Sequence, residues 1–240
     1  MAQAHIGLSG YSYKPWQGAD RFYPPGLKQA QFLHYYAGRY DTVELDGVWY
    51  RLPSAKAVAD WIALTHDGFL FAPKMHRRIT HVSRLKPDSY EFVRVVLDRL
   101  APLSEAGRLG PLLIQLPPNF PRDEGRLAAF LEHLPPSARW AIEFRHDSWC
   151  DDRIEALLRR FNVSWVAADT NERPAVCRET ADFWYVRLRR DAYSEEDLMR
   201  WAARIKDATG KGMDCYVYCK HEDRGSPWLW ADRLLHQLRG

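Results

Sequence analysis

Glu44, Glu143 and Asp169 each stand near the end of a short apolar run, and Lys74, Arg187 and Lys220 close other runs of the same kind. Two carboxylates in unlike surroundings can hold different protonation states and so divide the roles of general acid and general base. Glu44, Glu143, Lys74 and Asp169 are therefore the candidate catalytic groups. Lys74, Arg187 and Arg145 also suit a phosphate or carboxylate, arginine through its planar fork. Ser9, Tyr11, Trp16, Gln115, His146 and Lys220 complete the candidate binding set. This composition points to metal-independent acid–base chemistry on a small anionic, sugar-like or nucleotide-like substrate, with no cofactor required.

Two other chemistries fit some of the same residues. Glu44, Glu143 and Asp169 with one of His76, His81 or His146 would offer oxygen-rich ligation to a divalent cation, as in a phosphodiesterase or isomerase. No H-x-H or H-E-x-x-H pair supports that reading. Arg77, Arg78, Arg84 and Lys86 form a basic stretch that would serve a non-catalytic binder of anions or nucleic acid. The formal net charge of +3 is small for a nucleic-acid protein, whose basic residues normally concentrate on one face.

Eight apolar runs must position these groups: 6–11, 42–46, 69–74, 112–116, 140–145, 163–169, 183–189 and 215–220. Amphipathic stretches separate most of them, which predicts parallel strands alternating with helices. Leu27–Tyr40 has helical spacing. Ser54, Asp88, Asp123 and Asp151 or Asp152 are candidate helix caps. Ser194 with Asp197 has the form of a capping box, and Ser226-Pro227 starts a last helix. Pro174 predicts a loop or short helix over 170–182. The first turn, Ser9-Gly10-Tyr11-Ser12-Tyr13, lacks the glycine pattern of an open dinucleotide-binding sheet. The fold expected is a single α/β domain over residues 1–240, a (β/α)8 barrel of TIM type.

Alternation then sorts the strand residues. Trp184, Val186 and Leu188 should face helices, leaving Tyr185, Arg187 and Arg189 inward. Ala141, Glu143 and Arg145 should point inward on the fifth run, and Thr42, Glu44 and Asp46 on the second. The same reading places Ser9, Tyr11, Lys74, Gln115, Asp169 and Lys220 at one mouth. The four cysteines form no C-x-x-C pair, so neither a disulfide nor a metal role is expected, and Cys215 and Cys219, on one strand face, suit buried apolar packing. No apolar run reaches the ~18 residues of a membrane span. Residues 1–5 show no basic patch followed by an apolar stretch, so a cytoplasmic location is expected. The pattern assigns no oligomeric state.

The stretches Gly7-Leu8-Ser9-Gly10-Tyr11-Ser12-Tyr13, Thr42-Val43-Glu44-Leu45 with Trp49-Tyr50-Arg51-Leu52-Pro53, Ile79-Thr80-His81, Gln115-Leu116-Pro117-Pro118-Asn119-Phe120, Glu143-Phe144-Arg145-His146-Asp147-Ser148-Trp149 and Tyr185-Val186-Arg187-Leu188 resemble the YecE-like family across essentially the whole chain. That family is a domain of unknown function. The resemblance implies a TIM-barrel-like fold and supplies no activity. Asp46 stands where the family typically has Asn, and Tyr11 where it often has Trp. Tyr218-Cys219-Lys220-His221-Glu222-Asp223 resembles only part of the family.

Overall fold

The computed structural model describes residues 2–220 and 226–239. His221, Glu222 and Asp223, the end of the last-strand motif, lie outside the described residues. Within them the chain alternates short strands with helices. The strands are β1 (Ala4–Ser9), β2 (Thr42–Leu45), β3 (Leu70–Pro73), β4 (Leu112–Gln115), β5 (Trp140–Glu143), β6 (Val163–Trp165), β7 (Ala167–Asp169), β8 (Phe183–Leu188) and β9 (Asp214–Cys219). The helices are α1 (Phe32–Ala37), α2 (Gly47–Tyr50), α3 (Ala55–Ala63), α4 (Tyr90–Glu105), α5 (Glu124–Glu132), α6 (Asp152–Arg160), α7 (Glu195–Gly210) and α8 (Pro227–Arg239). Every strand pairing is parallel, in the orders β3-β2-β1-β9-β8-β7 and β4-β5-β6.

The apolar run expected as one strand over 163–169 is divided. β6 pairs with β5, and β7 pairs with β8. Between them the Val166 N–H donates to the Ile142 carbonyl at 2.9 Å, so the chain steps from one sheet to the other at that residue. β3 and β4 meet through scattered contacts. Phe71 N–H donates to Arg108 O at 2.9 Å, and Met75 N–H to Leu113 O at 2.8 Å.

Local chemistry sets the helix starts. Ser54, Asp123 and Asp151 accept from backbone N–H groups at their helix entrances, and Ser194 and Asp197 form a reciprocal capping box. Two expectations are corrected. Asp88 does not cap α4; it accepts from Ser83 Oγ at 2.5 Å, and the helix follows a 3-10 turn at Pro87–Ser89. The helix expected over 27–40 is shorter, a 3-10 turn at Gln29–Gln31 followed by α1, with Gly38 at its end. Residues 170–182 contain neither helix nor strand. No helix among the described residues is long and apolar enough to cross a membrane.

Burial separates the two strand faces into two cores. The larger packs strands against helices, with Val43, Ile142, Val186 and Val217 among its members. The smaller joins Ala72, Leu113, Ala141, Val166, Phe183, Tyr185, Tyr216 and Tyr218, which come from strands of both sheets. This inner cluster is the floor under the polar strand ends. It constrains Gly7, where an added Cβ would lie 2.1 Å from the Thr42 carbonyl oxygen on the neighbouring strand. Gly7→Ala is expected to cost roughly 1–3 kcal/mol or more in chemical denaturation. Gly125→Ala, exposed in α5 with nothing within 4 Å of its added Cβ, should instead gain about 0.5–1 kcal/mol. Equal effects at the two positions would contradict the close strand approach.

Candidate active site

Ser9, Gln115, Glu143 and Asp169 are the last residues of their strands, Arg187 is one from the end of β8, and Lys74 and Lys220 directly follow β3 and β9. Parallel pairing brings these ends to one side of the sheets. At the centre is Arg187, fully buried. Its Nη2 donates to Glu44 Oε1 at 2.7 Å and its Nη1 to Glu143 Oε2 at 2.6 Å. Tyr185 OH donates to Glu44 Oε2 at 2.8 Å, and the Ser9 hydroxyl contacts Glu44 Oε1. Gln115 Nε2 donates to Glu143 Oε2 at 2.9 Å, while Arg189 Nη1 reaches Glu143 Oε1 at 3.4 Å. A buried charge is tolerable only when paired and hydrogen-bonded, a condition that both Nη atoms of Arg187 meet while its buried Nε has no hydrogen-bond partner among the described residues.

Titration follows from the pairing. Burial alone would raise the Glu143 carboxyl, but the charges of Arg187 and Arg189 and the hydrogen bonds from Gln115 and Arg187 hold it down at about 2. Arg187 is held well above the ordinary arginine range: burial opposes its charge, and Glu44, Glu143 and Asp46 outweigh burial. Beside this core, Asp46 Oδ2 accepts from Ser9 Oγ at 2.9 Å and lies 4.0 Å from Lys220 Nζ, while Asp46 Oδ1 is 3.8 Å from Lys74 Nζ. Burial and the neighbouring Arg187 push Lys74 down to about 8, against the opposing pull of Asp46 and Glu44.

Other candidates sit elsewhere. Asp169 does not point into the mouth. Its carboxylate accepts from Arg190 Nη2 at 3.0 Å and Ala175 N–H at 3.2 Å, and lies 3.4 Å from Trp201 Nε1 on α7. Val163, Trp165 and Ala167 all belong to the outer core, so Asp169 follows them outward. Trp16 is buried with its ring against Tyr13, Phe22 and Trp228, which places it in packing behind the site. Tyr11 lies beyond β1, and its hydroxyl accepts from Trp61 Nε1 at 3.2 Å rather than meeting the carboxylates. His146 Nδ1 accepts from the Ser148 N–H at 3.2 Å and so caps its own 3-10 turn. Gln115 serves Glu143. Arg145 is exposed and forms no ion pair among the described residues. Arg189 lies just past the end of β8 yet reaches Glu143.

Tyr185, Asp46 and Tyr13 belong to the site as well, outside the candidate set. Tyr185 was legible from alternation with Arg187. Tyr13 is held above the ordinary phenol range by burial and by Asp46 and Glu44 nearby. It packs over Gly10, whose positive φ of 85° and lack of a side chain leave room for the Tyr13 ring. The divalent-cation arrangement does not assemble: among the described residues no three His, Cys, Asp or Glu side chains converge as ligands. Glu44 and Glu143 face Arg187, and Asp169 faces Arg190. Of the basic stretch, Arg78 stacks over Phe92 and Arg84 bonds Asn119.

Two cavities flank the centre. One of about 780 Å³ is lined by Tyr11, Tyr13, Asp46, Tyr50, Arg51 and Trp61, among others. The other, about 740 Å³, includes Glu143, Arg145, His146, Asn171, Arg173 and Arg189 in its wall.

Residues 5–240 match the family described as protein of unknown function DUF72. UPF0759 protein YunF of Bacillus subtilis (strain 168) is 28% identical over 153 residues, which cover 60% of this chain and 51% of that protein. The match thus spans about half the length of this curated relative. A DUF72 family protein from Thermotoga maritima MSB8 superposes with TM-score 0.79 at 24% identity, covering 99% of this chain and all of that one. One from Enterococcus faecalis V583 gives 0.79 at 18% identity over 99% and 96%. A xylose isomerase domain protein from Alicyclobacillus acidocaldarius subsp. acidocaldarius gives 0.54 at 14% identity over 98% of each chain. These likenesses place the fold among α/β proteins whose neighbours are TIM-barrel-like.

The depressed Glu143 carboxyl makes stability depend on pH with a definite sign. Its folded value, about 2, lies below the ordinary 4.5, so its contribution is full above pH ~4.5 and fades as pH falls toward ~2. At about 1.36 kcal/mol per unit this is roughly 3 kcal/mol. In urea titrations, Glu143→Gln should be less stable than wild type by at least about that amount at pH 7, and the gap should shrink by about 3 kcal/mol by pH 2. A gap independent of pH would show that Arg187 does not hold this carboxylate.

Proposed function

The chain belongs to the DUF72 family, the YecE-like family of unknown function, and we propose that it is a (β/α)8-barrel enzyme performing acid–base chemistry on a small anionic, sugar-like or nucleotide-like substrate. Closure of the strands is supported by the step at Val166 on one side, by the β3–β4 contacts on the other, and by the inner core drawn from both sheets. The cytoplasmic setting is supported by four unpaired cysteines.

One observation carries the reading: among the described residues, cations outnumber carboxylates where the strands end. Lys74, Arg145, Arg187, Arg189 and Lys220 face Glu44, Asp46 and Glu143. Glu44 and Glu143 are already engaged by Arg187, so Arg145 and Lys220 are the cations that a ligand would meet. An anion at that position also gains from the low local dielectric. Tyr11, Tyr13, Tyr50 and Trp61 in the adjacent cavity suit the flat face of a sugar or base.

The proton-transfer roles are best divided differently from a simple carboxylate pair. A general acid or base works best with a pKa near the working pH. Glu143, held at about 2, is a poor match, whereas Lys74, at about 8, is a good one. Glu44 and Glu143 then act as positioning residues for Arg187, and Lys74 carries the proton.

Calorimetric titration with inorganic phosphate and ribose 5-phosphate tests the reading. Binding should persist with a chelator, weaken as salt rises, and fall at least ~10-fold in Arg145→Ala and in Lys220→Met, about 1.4 kcal/mol each. A short duplex DNA should compete poorly. Binding abolished by the chelator would favour a divalent cation, and tight duplex binding would favour the nucleic-acid alternative.

A further inference from the structure

Eight of the 34 basic residues are lysines, so arginine is this chain's usual cation. Two of those eight, Lys74 and Lys220, stand at the strand ends. Arginine stays protonated under any ordinary condition, whereas a buried lysine can release its proton and become a nucleophile.

The surroundings of Lys74 match that use. Its side chain is 10% exposed. Among the described residues its Nζ makes no hydrogen bond. The carboxylate oxygen paired with it, Asp46 Oδ1, is 3.8 Å away and itself accepts no hydrogen bond. The Trp49 ring lies beside Nζ at 5.1 Å from its centroid. Arg187, Lys220 and His81 face it as cations or titratable groups, with Asp46 and Glu44 as the opposing carboxylates. A lysine kept only for charge would be expected to make direct ion pairs, as Lys56 does with Asp60 at 2.7 Å. Lys74 instead has only a long ion pair, with an Asp46 oxygen whose acceptor stays open.

We propose that Lys74 is a nucleophile that forms an imine with the carbonyl carbon of a small phosphorylated aldehyde or ketone. This rests on the anionic-substrate reading above and gives Lys74 a covalent step in place of proton carriage. The Nζ lone pair attacks the carbonyl carbon, forming the C–N bond as the C=O π bond opens onto oxygen. Asp46 takes a proton from the nitrogen and returns it to that oxygen, giving the carbinolamine. A second proton follows the same route, the C–O bond breaks, and water leaves as the nitrogen lone pair forms C=N. Both protons lost by nitrogen end in the water, and nothing is oxidised or reduced. The phosphate is the part of the substrate that Arg145, exposed at the strand ends, and Lys220, 4.0 Å from Asp46, would hold.

The test is reductive trapping with glycolaldehyde phosphate and sodium borohydride, read by intact mass and peptide mapping. A single adduct on Lys74 is expected. Its rate should rise with pH through a midpoint near 8, and unphosphorylated glycolaldehyde should react at least ~10-fold more slowly. Lys74→Arg and Lys74→Met, each shown to be folded by its melting curve, should lose the adduct. Adducts spread over exposed lysines such as Lys56 and Lys211, or none on Lys74, would overturn the proposal. Inorganic phosphate binding measured on the same sample separates the two failures. Phosphate bound without an adduct removes only the imine step, and absence of both removes the anionic-substrate reading as well.

Discussion

A guanidinium without access to water is the constraint around which the strand ends are arranged. Arg187 lies on β8, and its charge has to be answered inside the protein. Glu44 from β2 and Glu143 from β5 supply that answer at 2.7 and 2.6 Å. The arginine thereby ties a strand of the three-stranded sheet to two strands of the six-stranded one. The carboxylates also accept from Tyr185, Gln115 and Arg189, and the single proton of the Ser9 hydroxyl is shared between Glu44 and Asp46. Desolvated ion pairs contribute little net stability, but removing one partner leaves an uncompensated charge. Each member of this group therefore fixes the others in place.

Saturation of the centre moves reactivity to its margin. Glu143 cannot exchange protons usefully near neutral pH while Arg187 and Arg189 hold it ionised. Lys74 is different because burial and a neighbouring arginine both act against its charge, and its contact with Asp46 is long. The floor of tyrosines and small residues lies below, and Lys74, pushed down to about 8, is the group of this margin that titrates near neutral pH. On the proposed reading two jobs are separated: the Glu44–Arg187–Glu143 bridge would set geometry and field, and Lys74 would respond to what binds.

Strand alternation made much of this legible from the amino-acid order. Trp184, Val186 and Leu188 belong to the outer core while Tyr185 and Arg187 lie inside, because a buried parallel strand must sort its side chains by face. The helix caps at Ser54, Asp123 and Ser194 were legible because capping is decided within four residues. The features that escaped depend on distant partners. Trp16 is drawn into packing by Phe22 and by Trp228, more than 200 positions away. The break at Val166 arises because its two half-strands pair with different neighbours. Asp169 shares the outward parity of Trp165 and Ala167, and Arg190 and Trp201 meet it there. His146 could have been read as a turn cap from Ser148 two residues on.

The interdependence of Arg187, Glu44 and Glu143 is tested most directly by a stability cycle in urea at pH 7. Arg187→Met alone strands two buried carboxylates and should cost at least about 3–5 kcal/mol. Adding Glu44→Gln and Glu143→Gln to it removes the stranded charges, so the triple variant should recover much of that loss. Losses that add across the three substitutions would contradict the claim that one buried arginine organises the site.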